Sequence, residues 1–143
     1  MTTREAVMTA LVALLSGVAP FALVSRRNRA PETIGPSQSP ALFVLEDGEQ
    51  YEIKSVSMPP IRHLMVSAII YNDVGSDPNA IPTTVINNAL DALDSALKPT
   101  NPANLATLGG LVYSVTLDGE VKKAPGDKTG KSVAIVPLRI ILP

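Results

Sequence analysis

Cysteine and tryptophan are absent from this sequence of 143 residues, and histidine occurs once, as His63. Without cysteine there are no disulfides, no thiolate metal sites and no cysteine nucleophiles. A single histidine leaves little scope for zinc binding or for histidine-based acid–base catalysis. Three tyrosines and two phenylalanines provide few surfaces on which bases of a nucleic acid could stack. We therefore expect no catalytic residue, no metal and no cofactor.

The chain also lacks an excess of charge of either sign, because 12 basic residues stand against 13 acidic ones. The balance hides an uneven distribution. Residues 1–40 have a net charge of +2, residues 41–97 of −6, and residues 98–143 of +3. Unlike patches steer association and fix its register, so this distribution suits head-to-tail contacts between copies of the chain. The alternative interpretation is an ordinary solvated surface.

Proline is in excess, with 13 residues in the chain. The length predicts a single domain over residues 1–143, because domains of about 100–150 residues are the commonest. Three of the prolines fall within residues 26–40, which contain few large apolar side chains. This segment is predicted to be an extended arm or ordered loop that contributes little to the core.

The segment Ala6–Val24 has no charged residue over 19 positions, about 28 Å as a helix, close to the apolar thickness of a membrane. A membrane-tethered binding domain is therefore one alternative. A glycine and a proline interrupt the run, and nine of its positions are small or polar. Thr2 and Glu5 have the spacing of a capping box, which starts a soluble helix. We expect an amphipathic helix from about residue 3 to residue 17.

Apolar alternation predicts strands in the middle of the chain. Ala41–Leu45 and Tyr51–Val56, joined by an Asp47-Gly48 turn, are predicted to form a β-hairpin. A long strand is predicted over Ile61–Asn72, with apolar side chains on one face. Apolar residues at helical spacing, with Pro82 in the first turn, predict a second helix that ends before residue 99.

The C-terminal part of the sequence predicts further strands. Gly110–Leu117 and Glu120–Lys123, on either side of an Asp118-Gly119 turn, are predicted to form a second hairpin. The last strand is predicted over Ser132–Leu142. Because proline cannot donate a ladder hydrogen bond, Pro137 is expected to place this strand at an edge of the sheet or at a bulge. An edge strand at 133–142 would be available for hydrogen bonds between subunits.

Together these elements predict an α+β fold with the order α-β-β-β-α-β-β-β. We expect a mainly antiparallel sheet with the two helices packed on one face. The free face or the edge of such a sheet is the natural surface for interaction.

Three local motifs resemble functional sites without meeting their requirements. The loop Gly126–Ser132 resembles a phosphate-binding loop, but three residues rather than four separate its glycines, and a strand follows in place of a helix. The alternative function that this loop suggests is a nucleotide-using enzyme, which would need the loop to bind phosphate. Asp91 and Asp94 share a helix face with no third ligand nearby in the sequence. Asp73 and Asp77 lack the later glutamate of a calcium loop. We interpret all three as solvated surface.

Several segments of the chain recur, in the same order, in one known family. They are the N-terminal helix, the strand His63–Tyr71, the helix segment Asn87–Leu93, the segment LGGLVYSV at Leu108–Val115 and the terminal strand segment Ile135–Ile140. In this order the chain resembles the tail terminator family of long-tailed bacteriophages, small proteins that stop tail-tube growth and join the tail to the neck. Small neck and connector proteins share parts of the pattern. The arm at 26–40 and the loop at 124–131 depart from it.

The resemblance implies a structural virion protein without catalytic residues. It implies a homo-oligomer, a hexameric ring at the tail–neck junction, that is assembled in the host cytoplasm without membrane contact. The implied partners are the tail tube protein and a head-completion or neck protein. Six domains about 35 Å across leave a central hole on the order of 30 Å, through which DNA passes without specific binding. A head-side neck or connector protein is the alternative.

Charge and position single out a set of candidate interaction residues. They are Arg26, Arg27, Arg29, Glu46, Asp47, Glu49, Lys128, Lys131, Pro137 and Arg139.

Overall fold

A computed structural model describes residues 2–98, 105–124 and 130–142. Within them the helices and strands are, in chain order, α1 (Arg4–Leu15), β1 (Leu23–Ser25), β2 (Ala41–Glu52), β3 (Ile61–Asp73), α2 (Pro82–Ala96), β4 (Ser114–Leu117), β5 (Lys122–Ala124) and β6 (Lys131–Leu142). The described strands form one sheet in the order β1-β2-β3-β6-β4, and β5 also pairs with β6. Only the β1–β2 pair of this sheet is parallel. The α+β class, the mainly antiparallel sheet and the order of elements are confirmed.

Helix α1 begins after Thr3, whose side-chain oxygen accepts a hydrogen bond from the backbone N–H of Ala6 at 3.2 Å. The expected capping box is wrong, because Thr3 rather than Thr2 caps the helix. The other member of that box, Glu5, pairs with Arg26 instead.

The uncharged run at 6–24 is divided between two elements. Helix α1 contains 12 residues and ends at Leu15, and the chain then turns and enters β1 at Leu23. Among the described residues, no helix is long and apolar enough to cross a membrane.

The two helices cover the same face of the sheet, as predicted. The residues buried on them are Val7, Met8, Leu11 and Leu15 on α1, and Ile86, Ala89, Leu93 and Ala96 on α2. They pack against alternating side chains of β2, β3 and β6, which include Val44, Val66 and Leu138. Pro82 lies in the first turn of α2, as its position in the sequence predicted.

Strand β2 runs unbroken for 12 residues where the sequence predicted two strands and a turn. Its register with β3 shifts between Glu46 and Gly48, so Asp47 is the extra residue of a β-bulge. The carboxylate of Asp47 accepts a hydrogen bond from the hydroxyl of Ser67 on β3. The predicted hairpin over 41–56 is wrong: a tight type I′ turn needs positive φ at both central residues, and Gly48 does not have it. The observed hairpin joins β2 to β3 through residues 53–60.

Strands β4 and β5 do not form the predicted hairpin over 110–123. Both pair antiparallel with β6, one after the other, so they form one edge strand with an interruption. Residues 118–121 of this edge face only Val136 and Pro137 of β6. Gly119 has φ of +127° in the interruption. The Asp118-Gly119 pair therefore supplies a bulge-like break rather than a chain reversal.

Pro137 was expected to place β6 at an edge or at a bulge. The edge is wrong, because β6 lies inside the sheet, whereas the bulge-like break between β4 and β5 lies directly beside Pro137. The backbone N–H of Asp118 donates to the carbonyl oxygen of Pro137 at 3.1 Å. The N and C=O of one strand residue point to the same side, so the donor that proline lacks would point into the interruption between β4 and β5. Pro137 is tolerated there because no ladder hydrogen bond is required of it. Strand β6 is consequently not the edge strand expected to pair between subunits.

The proline-rich arm covers the second face of the sheet at one end. Its residues Pro31–Thr33 and Pro36–Gln38 form two short 3₁₀ turns. Between them, Ile34 is 1% exposed and packs with Phe43 and Tyr71. The expectation that the arm contributes little to the core is wrong, because Ile34 completes a second apolar cluster on the face opposite the helices.

Candidate interaction surface

The β2–β3 hairpin ends in a tip formed by residues 53–60. The last pair of the β2–β3 ladder joins Glu52 to Ile61. On its other side, β3 pairs with β6 only as far as Arg62, opposite Leu142. The hairpin tip therefore extends beyond the ends of the described strands around it.

Three apolar side chains of the hairpin tip face solvent. Ile53 is 71% exposed, Val56 is fully exposed and Met58 is 62% exposed. The tip is ordered by a local turn, in which the N–H of Met58 donates to the carbonyl oxygen of Ser55 at 3.2 Å. Burial of one such apolar side chain stabilises by about 1.5–3 kcal/mol, so a partner that covers all three gains several kcal/mol. Three exposed apolar side chains within six residues make the hairpin tip a candidate interaction site.

Helix α1 fastens one face of the hairpin stem. The guanidinium of Arg4 pairs with Glu49, with 2.9 Å between Nη2 and Oε2, and the same Nη2 donates to the Tyr51 hydroxyl at 2.7 Å. The hydrogen bond from Arg4 lowers the pKa of Glu49. The stem is thereby tied to the N-terminal turn of the helix.

A second arginine joins three elements near the bulge. Arg26, which follows β1, donates to both carboxylate oxygens of Glu5 on α1 at 2.8 and 2.9 Å, and to Glu46 on β2 at 3.3 Å. The hydrogen bonds from Arg26 lower the pKa of Glu5. These contacts hold α1, β1 and β2 in one arrangement.

The base of the hairpin tip carries a third ionic cluster, on the other face of the sheet. Glu52 lies 2.6 Å from the Lys54 ammonium and 2.9 Å from His63 Nε2. The hydrogen bonds to Lys54, and then to His63, lower the pKa of Glu52. His63, the single histidine, thus serves as a cross-strand contact, and its side chain is 11% exposed.

The outer edge of β2 is open next to this hairpin. Strand β1 pairs only with Ala41, Leu42 and Phe43. No described strand pairs with the outer edge of β2 from Val44 to Glu52. This stretch of β2 is one open edge of the described sheet, and β4 with β5 forms the other.

A concave site of about 170 Å³ lies at the opposite end of the sheet from the hairpin tip. It is lined by Pro31, Tyr71, Ala124, Lys131, Ser132 and Val133. Tyr71 and Val133 face each other in register on β3 and β6. This cavity, at the arm end of the sheet, has largely apolar walls.

The structure brings some of the candidate interaction residues together. Arg26 and Glu46 are in direct contact, and Asp47 and Glu49 lie on the same hairpin stem. Their charges are used within the chain, to hold the hairpin against α1 and β3.

The other candidate residues are dispersed. Arg27 is exposed after β1, and Arg29 donates to the carbonyl oxygen of Thr33 within the arm. The Nε of Arg139 lies 2.7 Å from Oδ2 of Asp118. The two groups form an ion pair, but the N–H of Nε does not point at the oxygen well enough for a hydrogen bond. Pro137 faces the interruption between β4 and β5, and Lys131 lines the cavity. Lys128 lies outside the described residues.

The aspartates that resembled a calcium loop are turn residues. Asp73 accepts a hydrogen bond from the N–H of Gly75 at 2.8 Å, and Asp77 from that of Asn79 at 2.9 Å. In the part of the chain that the structure describes, no three histidine, aspartate or glutamate side chains lie close enough to hold a metal ion. The loop resembling a phosphate-binding loop lies largely outside the described residues.

Sequence reasoning missed the hairpin tip, because alternation assigned residues 51–56 to a strand that continued past Glu52. The available signal was the combination of serines at 55 and 57, which favour turns, with Pro59 and Pro60, which cannot continue a ladder. Isolated apolar residues between such turn residues would then be expected at a solvent-facing tip.

No family model and no curated protein matches this sequence. Among solved structures, the chain is similar to a chain of the virion of a native gene transfer agent (GTA) particle. The two share 12% sequence identity with a TM-score of 0.44, over 92% of this chain and 82% of the other. At this level the likeness does not determine the function of this chain.

Proposed function

We propose that this protein is a structural component of a phage-like virion that caps the growing tail tube. In this role a ring of subunits docks on the last ring of the tube, occupies its polymerisation surface and presents a new face to the neck. The proposed partners are other copies of the chain, the tail tube protein and a head-completion or neck protein. DNA passes through the ring without specific contacts. The place of action is the tail–neck junction.

The observation that carries the proposal is the hairpin tip. Ile53, Val56 and Met58 are exposed at the end of a hairpin whose stem is fastened by three ionic clusters. A stiff stem lowers the entropic cost of docking, because the contact segment is ordered before it binds. This is the arrangement that an assembly protein needs, and the resemblance of the sequence to tail terminators gives it a specific context.

The titratable and nucleophilic side chains near the stem favour a structural role over catalysis. His63 is paired with Glu52, and the hydroxyl of Ser67 is bonded to Asp47. Each contact joins β2 to β3 and stabilises the hairpin. We accordingly propose a protein without enzymatic activity.

Deletion of the gene in a strain that produces the particles tests the proposed function. A terminator defect gives overlong tail tubes, measured by electron microscopy of negatively stained lysates, and the wild-type gene supplied in trans restores the normal length. Tails of normal length that fail to join heads would instead support the alternative, a head-side neck or connector protein. Intact, infectious particles would contradict both.

A further inference from the structure

We propose that the groove between α2 and the edge strand formed by β4 and β5 binds the segment after β1 of a second copy of this chain, with Arg27 of that copy against Asp91 and Asp94. The inference rests on the proposed function, since a ring requires a contact that repeats from subunit to subunit. It adds the two surfaces that form this contact.

The groove is open and has an apolar floor. It measures about 330 Å³ and lies between α2 and the edge strand. Its floor is formed by Leu90, Leu117 and Val121, which are half-buried and pack against the core. At the rim, the ammonium of Lys123 donates to the side-chain oxygen of Asn87 at 2.8 Å. The positive charge of this lysine is therefore held by a neutral partner within the chain.

The wall of the groove on α2 carries two carboxylates. Asp91 and Asp94 both line the groove, because positions three apart lie on one face of a helix. Both residues are exposed, and neither forms an ion pair with a basic side chain among the described residues. Two carboxylates against one lysine leave the groove acidic. An occupant with a cation on an aliphatic stem therefore suits both the wall and the floor.

Arg27 is the cation of this chain that fits the groove. It is exposed after β1 and forms no ion pair within the part of the chain that the structure describes. Its neighbour Arg26 is held by Glu5, and Arg29 donates to the carbonyl oxygen of Thr33. An arginine packs its aliphatic stem on apolar surface and offers several N–H donors to carboxylates. Arg27 is thus available for a contact with another molecule.

The register of the sheet places Arg27 and the groove at the same level on opposite edges. One row of paired residues crosses the sheet, and it consists of Ser25, Phe43, Ile69, Ile135 and Lys122. Arg27 follows this row by two residues on one edge, and Val121 lies one residue from it on the other, both towards the hairpin tip. Four strand spacings, about 19 Å, separate the two edges. Arg27 therefore cannot reach the groove of its own chain.

This placement determines the type of assembly. The two surfaces differ and lie on opposite edges of one domain, so the contact is heterologous. Copies placed side by side bring Arg27 of one to the groove of the next without a shift along the strands, as a closed ring requires. The exposed Lys98 follows α2 and Lys122 lies on β5, so neither provides a cation on the opposite edge. The hairpin tip lies at the strand ends and stays available for the tube.

Charge exchange in the full-length protein tests this contact. Arg27→Glu and Asp94→Arg are each expected to weaken self-association about tenfold, measured by sedimentation velocity, because each brings like charges together. The double variant has the net charge of wild type and is expected to recover association to within about threefold. Arg27→Glu with Asp77→Arg is the matched control: its net charge is the same, but Asp77 does not line the groove, so association should stay weak. Loss without recovery in the double variant, equal recovery in the control, or wild-type protein that is monomeric at every concentration would overturn the proposal.

Cross-linking shows which surfaces meet, because the chain has no native cysteine. Asn28→Cys protein is mixed with Lys122→Cys protein and treated with a short bismaleimide, which leaves Arg27 and both aspartates intact. A cross-linked dimer is expected in the mixture and not in either protein alone. Tyr113→Cys, at another exposed position, replaces Asn28→Cys in the control. Cross-linking no greater than in this control would overturn the proposal.

The contact and the capping role fail separately. Overlong tails after gene deletion, without recovery in the charge-exchanged variant, would remove only the contact between the groove and Arg27. Tails of normal length, with recovery in that variant, would remove the capping role and leave the contact.

Discussion

The backbone N–H of Asp118 donates to the carbonyl oxygen of Pro137 at the point where the interruption between β4 and β5 begins. Gly119 follows with φ of +127°, and a Cβ built on it would lie 3.1 Å from Cγ of Pro137. We expect Gly119→Ala to lower the free energy of unfolding by about 1–3 kcal/mol, because a side chain is strained at this φ. Urea denaturation measures the change.

Two controls accompany this prediction. Gly48→Ala is expected to change the free energy of unfolding by less than about 0.5 kcal/mol, because no atom lies within 4 Å of its built Cβ and its φ is negative or extended. Adding Pro137→Ala to Gly119→Ala removes the contact but not the backbone strain, so it should recover only part of the loss. Full recovery would show that the backbone at 119 is unstrained.

The arm is expected to stabilise the fold through the burial of Ile34. Ile34→Ala is expected to cost about 2–5 kcal/mol, since the side chain is 1% exposed between Phe43 and Tyr71. Ile53→Ala is the matched control, because the same substitution at a 71% exposed position should cost less than about 0.5 kcal/mol. Equal effects at both positions would mean that the arm does not pack on the sheet in solution.

The hairpin stem is expected to weaken in acid. Arg4 lowers the pKa of Glu49, so the carboxylate stabilises the fold above the pKa of an unfolded glutamate, about 4.3, and this stabilisation is lost as the pH falls through the lower folded pKa. Wild type should therefore be more stable than Glu49→Gln above pH 5, with the difference shrinking towards pH 3. Urea unfolding across this range measures it, with Glu120→Gln, at an exposed position between β4 and β5, as the control. A difference that grows in acid would contradict the assignment.

The tip substitutions should separate assembly from folding. Val56→Asp with Met58→Asp is expected to leave the free energy of unfolding within about 0.5 kcal/mol of wild type, because neither side chain is buried in the subunit. Thermal unfolding at a concentration where both proteins are monomeric provides the comparison. A loss of several kcal/mol would place the tip inside the folded core of the subunit.

The elements that the sequence predicted well are those specified by local spacing. Helix α2 has its proline and its apolar stripe within 15 residues, and both act in the structure as predicted. The two predicted hairpins and the edge position of β6 were wrong because each depended on a partner that is distant in the sequence. An Asp-Gly pair is a strong signal for a tight turn. At 47–48 it forms a bulge instead, where Asp47 accepts a hydrogen bond from Ser67, 20 residues away along the chain. Pro137 is accommodated only because the neighbouring strand breaks beside it.

The candidate interaction surface was predicted in part. Charge patterning indicated the acidic segment at 46–49 and the arginine at 26, and the structure shows two of these, Arg26 and Glu46, in contact. Charge patterning alone could not show whether Arg26 and Glu46 pair within one chain or between two chains. The pairing within the chain arises because α1 and β1 lie beside β2. The apolar tip was missed because alternation is the same in a strand and in the tip that follows it.

Tube growth in vitro tests the capping role most directly. Tail tube protein from the same particle is allowed to polymerise with increasing amounts of this protein, and tube lengths are measured by electron microscopy. The account predicts that mean length falls as the ratio rises, with the protein found at tube ends, and that the Val56→Asp, Met58→Asp variant caps less effectively. Tube lengths independent of added protein would contradict the account.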